Sequence, residues 1–490
     1  MFTRHPRLPN VKSTLHYLYQ SRSCFWTQAT SLRLSRPRVT TLKSQAFASK
    51  SIYFKPYCNN IGSKYCYSKS AKMDTSILSV DPQRLGSIKF KTSRQDLIDD
   101  WEIDYTPGTD YESLKKAAEE LRDTDVPVAF PTETVYGLGA DATRSSAVKA
   151  IFAAKGRPAD NPLIVHVHSL PQLRALLSGT QEYTNGDIPG EGDIIPAIYK
   201  PLIERFWPGP LTIILRAPSN SALAPEVTAG LSTFGARMPR SILALSLLRL
   251  CGRPLAGPSA NASTRPSPTA AEHVFDDLQG RIHTIIDGGP CEVGVESTVV
   301  DGLSSPPSIL RPGGVTVEQL RQCPGWEHVT IGYKDKQEGG ESKPRAPGMK
   351  YRHYSPKAQV VLFEAGAGRP SDDEVKLKKR IGVIRTKSWN AALGLATELS
   401  ESAQTKEQLD DRQQPSITPA ILNGASARQS NLLRSVIQHQ DVARGLFSAL
   451  RELDKKTVDV IYVEGIDDKV DDDIAAAVMN RLRKAAEIRV

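Results

Sequence analysis

Apolar residues in the middle of the chain alternate between two spacings. Residues 111–122 carry apolar side chains at every third or fourth position, which is the spacing of an amphipathic helix. Short apolar runs bounded by Gly, Pro, Ser or Asp separate such segments and predict strands. We predict further helices over 146–154, 171–177, 198–206 and 241–251, and strands over 126–130, 163–167, 211–215, 255–256, 282–287, 299–301 and 308–310. This alternation predicts an α/β domain over residues 108–325.

The pattern changes on both sides of this domain. Residues 73–107 are polar and weakly patterned, and we expect a flexible N-terminal extension there. Residues 326–356 lack periodicity and contain several Gly and Pro residues, which predicts a linker. In the last segment, 357–490, we predict strands over 359–363, 382–385 and 458–463, and helices over 441–455 and 474–486. This order predicts a smaller Rossmann-like domain without a GxGxxG run, interrupted by an exposed polar insertion over 399–431.

The formal net charge of +9 is concentrated at the N-terminus. Residues 1–72 contain thirteen Lys or Arg and no Asp or Glu, whereas the remaining chain has 50 basic and 54 acidic residues. The slightly acidic body indicates weak or no direct nucleic-acid binding. The basic, Ser-rich leader is typical of a mitochondrial transit peptide, with a disordered basic tail as the alternative. Met73 follows directly, and a second start there predicts both mitochondrial and cytoplasmic forms.

Cysteine spacing and hydropathy exclude several protein classes. The six cysteines form no CxxC pair, and neither they nor the nine histidines have the spacing of a structural zinc site. We therefore expect a reduced intracellular protein without a disulfide framework. No apolar run is long enough to cross a bilayer, so we expect no membrane partner.

Polar clusters flank several of the predicted strands. The clusters are PTETVYGLG (131–139), KGRPADNPLIVH (155–166), STFGARMP (232–239), GPSANASTRPSPT (257–269), GVEST (294–298) and LRPGG (310–314). A single cluster of this kind most often marks a turn or a helix cap. Together, however, they place Lys155, Arg157, Arg237 and Arg311 in Gly, Pro and Ser contexts, as a site for a phosphate-bearing ligand requires. The chain has no GxxxxGK[ST] run, so a P-loop is excluded.

These six runs, in this order, resemble the YrdC-type threonylcarbamoyl-AMP synthases. The run PGMKYRHYSP (347–356) is similar to the linker motif of the family's two-domain branch, and AVMNRLRKAA (477–486) is similar to the end of its C-terminal domain. The resemblance covers residues 108–356 strongly and 357–490 more loosely. It implies a YrdC-like α/β domain with a twisted sheet and a concave site, followed by the Rossmann-like α/β domain.

The resemblance also implies an activity. Such enzymes make L-threonylcarbamoyladenylate from L-threonine, bicarbonate and ATP and release pyrophosphate. A downstream tRNA threonylcarbamoyl-transferase machinery uses the product to modify tRNA next to the anticodon. The substrates supply the nucleophile, so no catalytic triad is expected. We expect Mg²⁺ to enter on the ATP phosphates, with no dedicated protein ligands.

The family's site residues carry over to matching positions. The resemblance implies Lys155 and Arg157 as the catalytic residues. It implies ATP contacts at Lys155, Arg157, Asn161, Thr233, Ser259, Asn261, Ser267 and Arg311. It implies threonine contacts at Thr134, His166, Arg237, Gly257 and Ser297. Glu133 and Glu296 are expected to contact these residues rather than the substrates. Thr264 stands where the family often has Gly. Tyr351 and His353 of the linker are expected to form either a lid over the site or a passive tether.

Two other functions remain open at this point. A carbamoyl-transfer enzyme of the hydrogenase-maturation kind would bring zinc-finger modules, whose CxxC pairs are absent from this sequence. An RNA-binding or translation-associated module without synthase activity would require a more basic body.

Overall fold

The computed structural model describes residues 73–92, 98–179, 193–333, 353–378, 380–386, 388–389, 393, 419–423, 439–468 and 473–490. The strands in these residues are β1 (Ser76–Ser79), β2 (Gly86–Thr92), β3 (Ile98–Tyr105), β4 (Val128–Phe130), β5 (Gly137–Asp141), β6 (Ile164–His166), β7 (Leu211–Arg216), β8 (Thr233–Arg237), β9 (Leu255–Ala256), β10 (Thr284–Asp287), β11 (Thr298–Asp301), β12 (Ser308–Arg311), β13 (Thr330–Ile331), β14 (Gln359–Phe363), β15 (Arg380–Ile384), β16 (Pro419–Asn423), β17 (Val460–Glu464) and β18 (Ile488–Arg489).

The helices in the same residues connect and cover these strands. They are α1 (Thr109–Asp123), α2 (Ser145–Lys155), α3 (Leu170–Ser178), α4 (Lys200–Phe206), α5 (Pro225–Thr228), α6 (Ile242–Cys251), α7 (Ala271–Leu278), α8 (Val317–Arg321), α9 (Asp372–Lys376), α10 (His439–Lys455) and α11 (Asp473–Ala485). A short 3₁₀ turn over Ala197–Tyr199 leads into α4. None of the helices in the described part of the chain is long and apolar enough to cross a membrane.

Eleven strands form one mixed sheet, in the spatial order β1-β10-β4-β5-β9-β6-β8-β7-β11-β12-β13. Strand β4 shows how the sheet is covered. Ala129 belongs to one apolar cluster, whereas Val128 and Phe130 belong to another. Because neighbouring residues of a strand point to opposite faces, apolar side chains cover both faces at this point. The α/β class predicted from the alternating pattern is confirmed.

The predicted helices and strands of this domain both lie close to the observed elements, whereas helices α5, α7 and α8 were not predicted. Helices α1, α2, α3, α4 and α6 begin and end within two residues of their predicted limits. Strands β5 and β8 were not predicted, because the sequences GLGAD and TFGAR contain glycines that also suit turns. Both strands lie inside the sheet. Strand β8 contains the predicted site residues Thr233 and Arg237, and β5 follows the turn that contains Thr134.

Residues 73–107 differ from the flexible extension expected from the sequence. Strand β1 pairs in parallel with β10, and β2 pairs antiparallel with β3. Trp101 is buried, and its indole Nε1 donates a hydrogen bond to the carbonyl of His168 at 2.6 Å. Val80 and Leu85 are buried as well. This segment is therefore an integral part of the first domain, because Val80, Leu85 and Trp101 are buried in its core.

The C-terminal domain contains a five-stranded sheet in the order β16-β15-β17-β14-β18. Strands β15, β17, β14 and β18 are mutually parallel, and β16 is antiparallel to β15. The predicted Rossmann-like arrangement is thereby confirmed. Strand β16 lies within the tract 399–431 that was expected to be an exposed insertion, and the rest of that tract lies outside the described residues.

The segment predicted as a linker is only partly described. Trp326 is buried, and β13 pairs with β12, so residues 326–333 belong to the first domain. Residues 334–352, with the predicted lid residue Tyr351, lie outside the described residues. Residues 353–356 are described and contact both domains, as shown below.

Helices α10 and α11 connect the C-terminal domain to the first domain. Val135 and Val295 of the first domain belong to the same buried apolar cluster as Leu446 of α10 and Met479 of α11. Ion pairs surround this contact, including Arg451 with Asp277 at 2.7 Å, Arg265 with Asp454 at 2.8 Å and Lys455 with Asp276 at 2.7 Å. The two domains therefore share a core, in addition to being joined by the chain.

Candidate active site

The first polar cluster forms the turn of a β-hairpin inside the large sheet, where strand β4 ends and strand β5 begins. Strands β4 and β5 pair antiparallel, with Phe130 opposite Gly137. Within the turn, Thr132 Oγ1 donates to the carbonyl of Val135 at 2.7 Å and lies 2.9 Å from Thr134 Oγ1. These internal hydrogen bonds fix the buried hydroxyl of Thr134 within the turn.

Arg237 ends strand β8 and is buried beside this turn. Its Nη2 donates to Glu133 Oε1 at 2.7 Å, its Nη1 to Thr134 Oγ1 at 3.0 Å and its Nε to the carbonyl of Gly209 at 3.1 Å. Glu133 Oε2 accepts a further bond from the backbone N–H of Arg240 at 3.1 Å. Glu133 thus neutralises a buried cation. Three bonds leave two of the five guanidinium N–H groups for other partners.

His166 ends strand β6 and lies opposite Arg237 in the parallel β6–β8 pair. Burial, together with the charge of Arg237, lowers the pKa of His166 to about 3. The imidazole is therefore neutral at physiological pH, and its buried Nδ1 has no hydrogen-bond partner in the described part of the chain. A Cβ on Gly257 would lie 2.6 Å from this nitrogen, so the glycine permits the close approach of ring and backbone. A neutral imidazole with an open nitrogen can hydrogen-bond a ligand.

Ser297 and Arg311 lie beside these residues on the β11–β12 side of the sheet. Arg311 Nε donates to the carbonyl of Ser297 at 3.0 Å, and its Nη2 donates to Ser297 Oγ at 3.1 Å. Ser297 Oγ also lies 2.8 Å from Thr212 Oγ1. Burial lowers the pKa of Arg311 to about 10, which still leaves the guanidinium charged. Arg311 is therefore a fixed, buried cation.

Lys155 is the last residue of helix α2 and is buried. Its Nζ donates to the backbone carbonyls of Ser259 and Asn261, the latter at 2.6 Å. Gly156 follows with φ +60°, a left-handed conformation that ends the helix and leads the chain towards Arg157. Burial, and next the charge of Arg157, lowers the pKa of Lys155. A nearby anion would reverse this effect by favouring the ammonium form.

Arg157 follows α2 and is held by carbonyl groups, without a hydrogen bond to a carboxylate of the described residues. Its Nη2 donates to the carbonyls of Asn161 at 3.2 Å and Pro162 at 3.4 Å. Burial lowers the pKa of Arg157 to about 10, so it stays charged. Asn161 is buried, and its Oδ1 has no hydrogen-bond partner among the described residues. An arginine without a carboxylate bond and an open amide oxygen both suit a polar ligand.

The GPSANAS cluster wraps around Lys155. Asn261 Nδ2 donates to the carbonyls of Ala262 at 2.8 Å and Arg265 at 3.0 Å, while its buried Oδ1 has no partner in the described ranges. Thr264 is exposed and has φ +71°, the left-handed region in which glycine is the favoured residue. The turn at Thr264 is therefore formed despite the absence of the glycine that the family often has there.

Two adjacent cavities of about 50 Å³ each bring the predicted site residues together. The first is lined by the predicted threonine residues Thr134, His166, Arg237, Gly257 and Ser297 and also by Arg311. The second is lined by the predicted nucleotide residues Lys155, Asn161 and Asn261. Arg157, Ser259 and His353 line both cavities, so the boundary between the cavities lies at these three residues.

Thr233 is the predicted site residue that lies furthest along the sheet from the others. It begins strand β8, four residues before Arg237, and lines a separate cavity of about 310 Å³ with Arg216 and Leu310. Alternate residues of a strand share a face, so Thr233, Gly235 and Arg237 lie on the same face of the sheet. The structure does not bring Thr233 to the two small cavities, although it places the residue on the same surface.

His353 and Tyr354, at the end of the linker, lie against both domains. Their rings are stacked with centroids 4.2 Å apart, and Tyr354 packs against Phe447 of α10 at 5.3 Å. Burial lowers the pKa of His353 to about 3 and raises that of Tyr354 to about 12. Tyr354 has φ +65°, an uncommon conformation for a bulky residue. His353 thus lies at the position predicted for a lid residue.

Glu296, expected from the sequence to contact the site residues rather than the substrates, accepts hydrogen bonds from both domains. Ser267 Oγ donates to its Oε1, and Arg481 Nε of helix α11 pairs with its Oε2 at 3.0 Å. Burial raises the pKa of Glu296, but the charges of Arg481 and Arg311 outweigh it and bring the pKa to about 2. Ser267 reaches the site through this carboxylate, since it lines neither small cavity. Tyr354 and Arg481 were not predicted as site residues, although both lie in motifs of the family, PGMKYRHYSP and AVMNRLRKAA.

A larger cavity lies near this region and has a different set of lining residues. It has a volume of about 500 Å³ and lies between α7 and α10. Among its lining residues are His273, Cys291, Arg444 and Ser448, and none of the predicted site residues lines it. We place the active site at the smaller cavities, because the buried cations and open polar atoms are concentrated there.

The fold and these cavities define a two-domain α/β protein that holds buried cations for an anionic ligand. A family model described as "Telomere recombination", which covers the Sua5, YciO and YrdC proteins, matches residues 120–313. A second model, the threonylcarbamoyl-AMP synthase C-terminal domain, matches residues 315–487.

Individual relatives agree with these matches over most of the chain. The threonylcarbamoyl-AMP synthase of Schizosaccharomyces pombe is 42% identical over 435 residues, which is 85% of this chain and 98% of that protein. That of Bacillus subtilis is 41% identical and covers 80% of this chain and 98% of its own. The crystal structure of Pyrococcus abyssi Sua5 complexed with L-threonine has a TM-score of 0.60 at 36% identity and covers 85% of this chain and 100% of its own. The chain belongs to the threonylcarbamoyl-AMP synthase family, in its two-domain form, as the six motifs predicted.

Proposed function

We propose that the protein synthesises L-threonylcarbamoyladenylate from L-threonine, bicarbonate and ATP, with release of pyrophosphate. The observation that carries this proposal is the pair of cavities that meet at Arg157, Ser259 and His353. A reaction between two bound substrates needs two subsites, with the reacting atoms at their boundary. Membership of the family and the threonine named in the Pyrococcus abyssi structure support the same reaction.

We assign the nucleotide to the cavity of Lys155. A lysine ammonium has three N–H groups, and two of them are donated to backbone carbonyls, so one is left for a phosphate oxygen. Arg157 and Arg311 keep their charge in the buried site and can stabilise negative charge that develops on the α-phosphate. The open amide oxygens of Asn161 and Asn261 suit an amino or hydroxyl group of the nucleoside. Thr233 lies on the same face of the sheet as Arg237 and remains a predicted ATP contact.

We assign threonine to the cavity of Arg237. The two remaining N–H groups of Arg237 suit the threonine carboxylate, because a guanidinium binds a carboxylate strongly. The hydroxyls of Thr134 and Ser297 and the open nitrogen of His166 can bind the amine and hydroxyl of threonine. Since His166 is neutral, it adds no repulsion to a threonine ammonium.

The substrates supply the nucleophile in this reaction. The threonine amine and bicarbonate form a carbamate and water, and a carbamate oxygen then attacks the α-phosphorus and expels pyrophosphate. The residues of this chain bind, orient and stabilise charge. We propose that Mg²⁺ enters bound to the ATP phosphates, since it usually keeps waters and substrate oxygens as ligands. Glu133 and Glu296, the carboxylates beside the threonine cavity, are already paired with arginines.

We further propose that the end of the linker is a lid. His353 lines both cavities, and each cavity is far smaller than the roughly 300–1,000 Å³ of a typical ligand site. His353 and the neighbouring residues must therefore move before ATP enters. Closure afterwards would exclude water from a labile mixed anhydride.

A direct assay tests the proposed reaction. The full chain is incubated with ATP, Mg²⁺, bicarbonate and labelled L-threonine, and pyrophosphate and the labelled adenylate are measured. We expect pyrophosphate release that depends on threonine and on bicarbonate. An equal rate of release without threonine, or no release at all, would refute the assignment.

Two further proposals concern the cell. We propose that a tRNA threonylcarbamoyl-transferase machinery consumes the product, since a mixed anhydride of AMP is an activated donor. We also propose mitochondrial and cytoplasmic forms that differ in residues 1–72, whose basic, acid-free composition supports the proposal. A reporter fused to residues 1–72 should enter mitochondria, and purely cytosolic signal would refute that part.

A further inference from the structure

We propose that Arg481 is a positioning residue for the active site, so that helix α11 of the C-terminal domain forms part of the catalytic machinery. The inference rests on the proposed function and extends it to a domain whose contribution the motifs left open. Arg481 touches neither small cavity. It acts through Glu296, which lines the threonine cavity.

Arg481 is buried completely and its hydrogen-bonding groups are almost fully used. Its Nε pairs with Glu296 Oε2 at 3.0 Å, and its Nη2 donates to the Glu296 carbonyl at 3.3 Å. Its Nη1 donates to the carbonyls of Pro312 and, at 3.3 Å, Ala477. Arg481 therefore holds both the backbone and the side chain of Glu296, and Pro312, which follows Arg311, as well.

Glu296 in turn orients Ser267, one of the predicted ATP contacts. The hydroxyl proton of Ser267 is donated to Glu296 Oε1, so the direction of this hydroxyl depends on the carboxylate. The backbone of Glu296 precedes Ser297, whose carbonyl and hydroxyl bind Arg311. A shift of Glu296 would therefore disturb Ser297 and Arg311 in the threonine cavity and, at the same time, the hydroxyl of Ser267.

The linker is constrained by the same pair. The guanidinium carbon of Arg481 lies 6.0 Å from the centroid of the Tyr354 ring, within cation–π range. The backbone N–H of Ser355 donates to the carbonyl of Thr264 at 2.8 Å. These contacts thus connect three separate parts of the chain, at Glu296, Tyr354 and Arg481. Glu296 and Arg481 are 185 positions apart in the sequence.

A purely structural role for Arg481 is the alternative, since a buried ion pair also joins the domains. The two roles differ in what happens when both charges are removed. Arg481→Met alone leaves a buried carboxylate without its cation, which destabilises the protein. The double variant Arg481→Met with Glu296→Gln lacks both charges of this pair, so the part of the stability that is lost to the unpaired carboxylate should recover. Positioning should not recover, because the hydrogen bonds that orient Glu296 are still missing.

The experiment compares four full-length variants with the wild type at a temperature where all are folded. They are Arg481→Met, Arg481→Lys, the double variant with Glu296→Gln, and Arg483→Met as the matched control. Arg483 lies on the same helix, but its ion pairs with Glu364 and Asp468 stay inside the C-terminal domain. We measure kcat, the KM values for ATP and threonine, the melting temperature and amide exchange at Ser355.

We expect kcat to fall about 100-fold in Arg481→Met and in the double variant, as for other misplaced active-site groups. Arg481→Lys should recover part of the activity, and Arg483→Met should keep it. Exchange at Ser355 should accelerate in Arg481→Met and remain slow in Arg483→Met. If the double variant regains both melting temperature and kcat, Arg481 is only structural and the inference is overturned.

The exchange measurement also separates this inference from the proposed function. An inactive wild type would refute the proposed reaction. Even then, unchanged exchange at Ser355 in Arg481→Met would overturn the positioning role, and accelerated exchange would support it.

Discussion

Replacing Glu133 by Gln should show how strongly this carboxylate stabilises the buried charge of Arg237 in the threonine cavity. Glu133 and Arg237 form an ion pair at 2.7 Å with side chains that are 1% and 4% exposed. The substitution keeps the size of the side chain and removes its charge. Arg237 would then be a buried cation with only neutral partners, Thr134 and Gly209.

The size of the effect follows from this burial. Removing one partner of a buried ion pair costs about 3–5 kcal/mol. For a domain of this size, 1 kcal/mol lowers the melting temperature by about 2–4 °C, so we expect a decrease of about 6–20 °C. The exposed pair of Arg240 and Glu292, at 2.6 Å, provides the matched control. Glu292→Gln should cost at most about 1 kcal/mol.

Threonine adds a second expectation to this experiment. If its carboxylate binds Arg237, it supplies the negative charge that Glu133→Gln lacks. Threonine should therefore raise the melting temperature of the variant by more than it raises that of the wild type. Thermal unfolding with and without threonine measures both effects. A variant that melts within 2 °C of the wild type, or gains nothing extra from threonine, would refute the reasoning.

Three other predictions follow from single side chains. Arg157→Ala and Arg311→Ala should each slow ATP-dependent pyrophosphate release about 100-fold or more with little loss of helicity, and normal rates in both would reject the nucleotide assignment. Thr264→Gly should stabilise the protein by about 1 kcal/mol in urea denaturation, because φ +71° strains a threonine, and a loss of stability would contradict this. Burial, and next the charge of Arg451, lowers the pKa of His273 to about 4. The unfolded chain therefore binds the extra proton between pH 6.5 and 4, and stability should fall by about 1.4 kcal/mol per pH unit through this histidine as the pH drops. His273→Gln should remove that part of the slope, and an unchanged slope would show that His273 is not held neutral.

The sequence predicted helices well because their ends carry local signals. Ser169 and Ser241 accept hydrogen bonds from the first turns of α3 and α6, and Gly179 and Gly252 end these helices in the left-handed conformation. Spacing and end signals agree, so the limits are clear. Strand β1 has no such signal, because its partner β10 lies about 200 residues later and pairing over that distance leaves no trace in a local window.

The same distinction applies to the site. Lys155, Arg157 and Asn161 are close in sequence, and the structure keeps them at one cavity. The contact between Glu296 and Arg481 joins residues 185 positions apart, and the sequence shows only that both are charged. Its one signal was that Arg481 lies in AVMNRLRKAA, a run that is similar to the end of the family's C-terminal domain.

The large sheet also has a consequence for solubility. An open sheet of eleven strands has two free edges, and exposed edges can pair with other molecules. Here the outermost strands, β1 and β13, are only four and two residues long. Any recombinant form that starts after residue 80 would lose β1 and expose β10, whose Ile285 and Ile286 are fully buried. Such a truncation should form aggregates through edge-to-edge pairing, even though every residue of the active site would still be present.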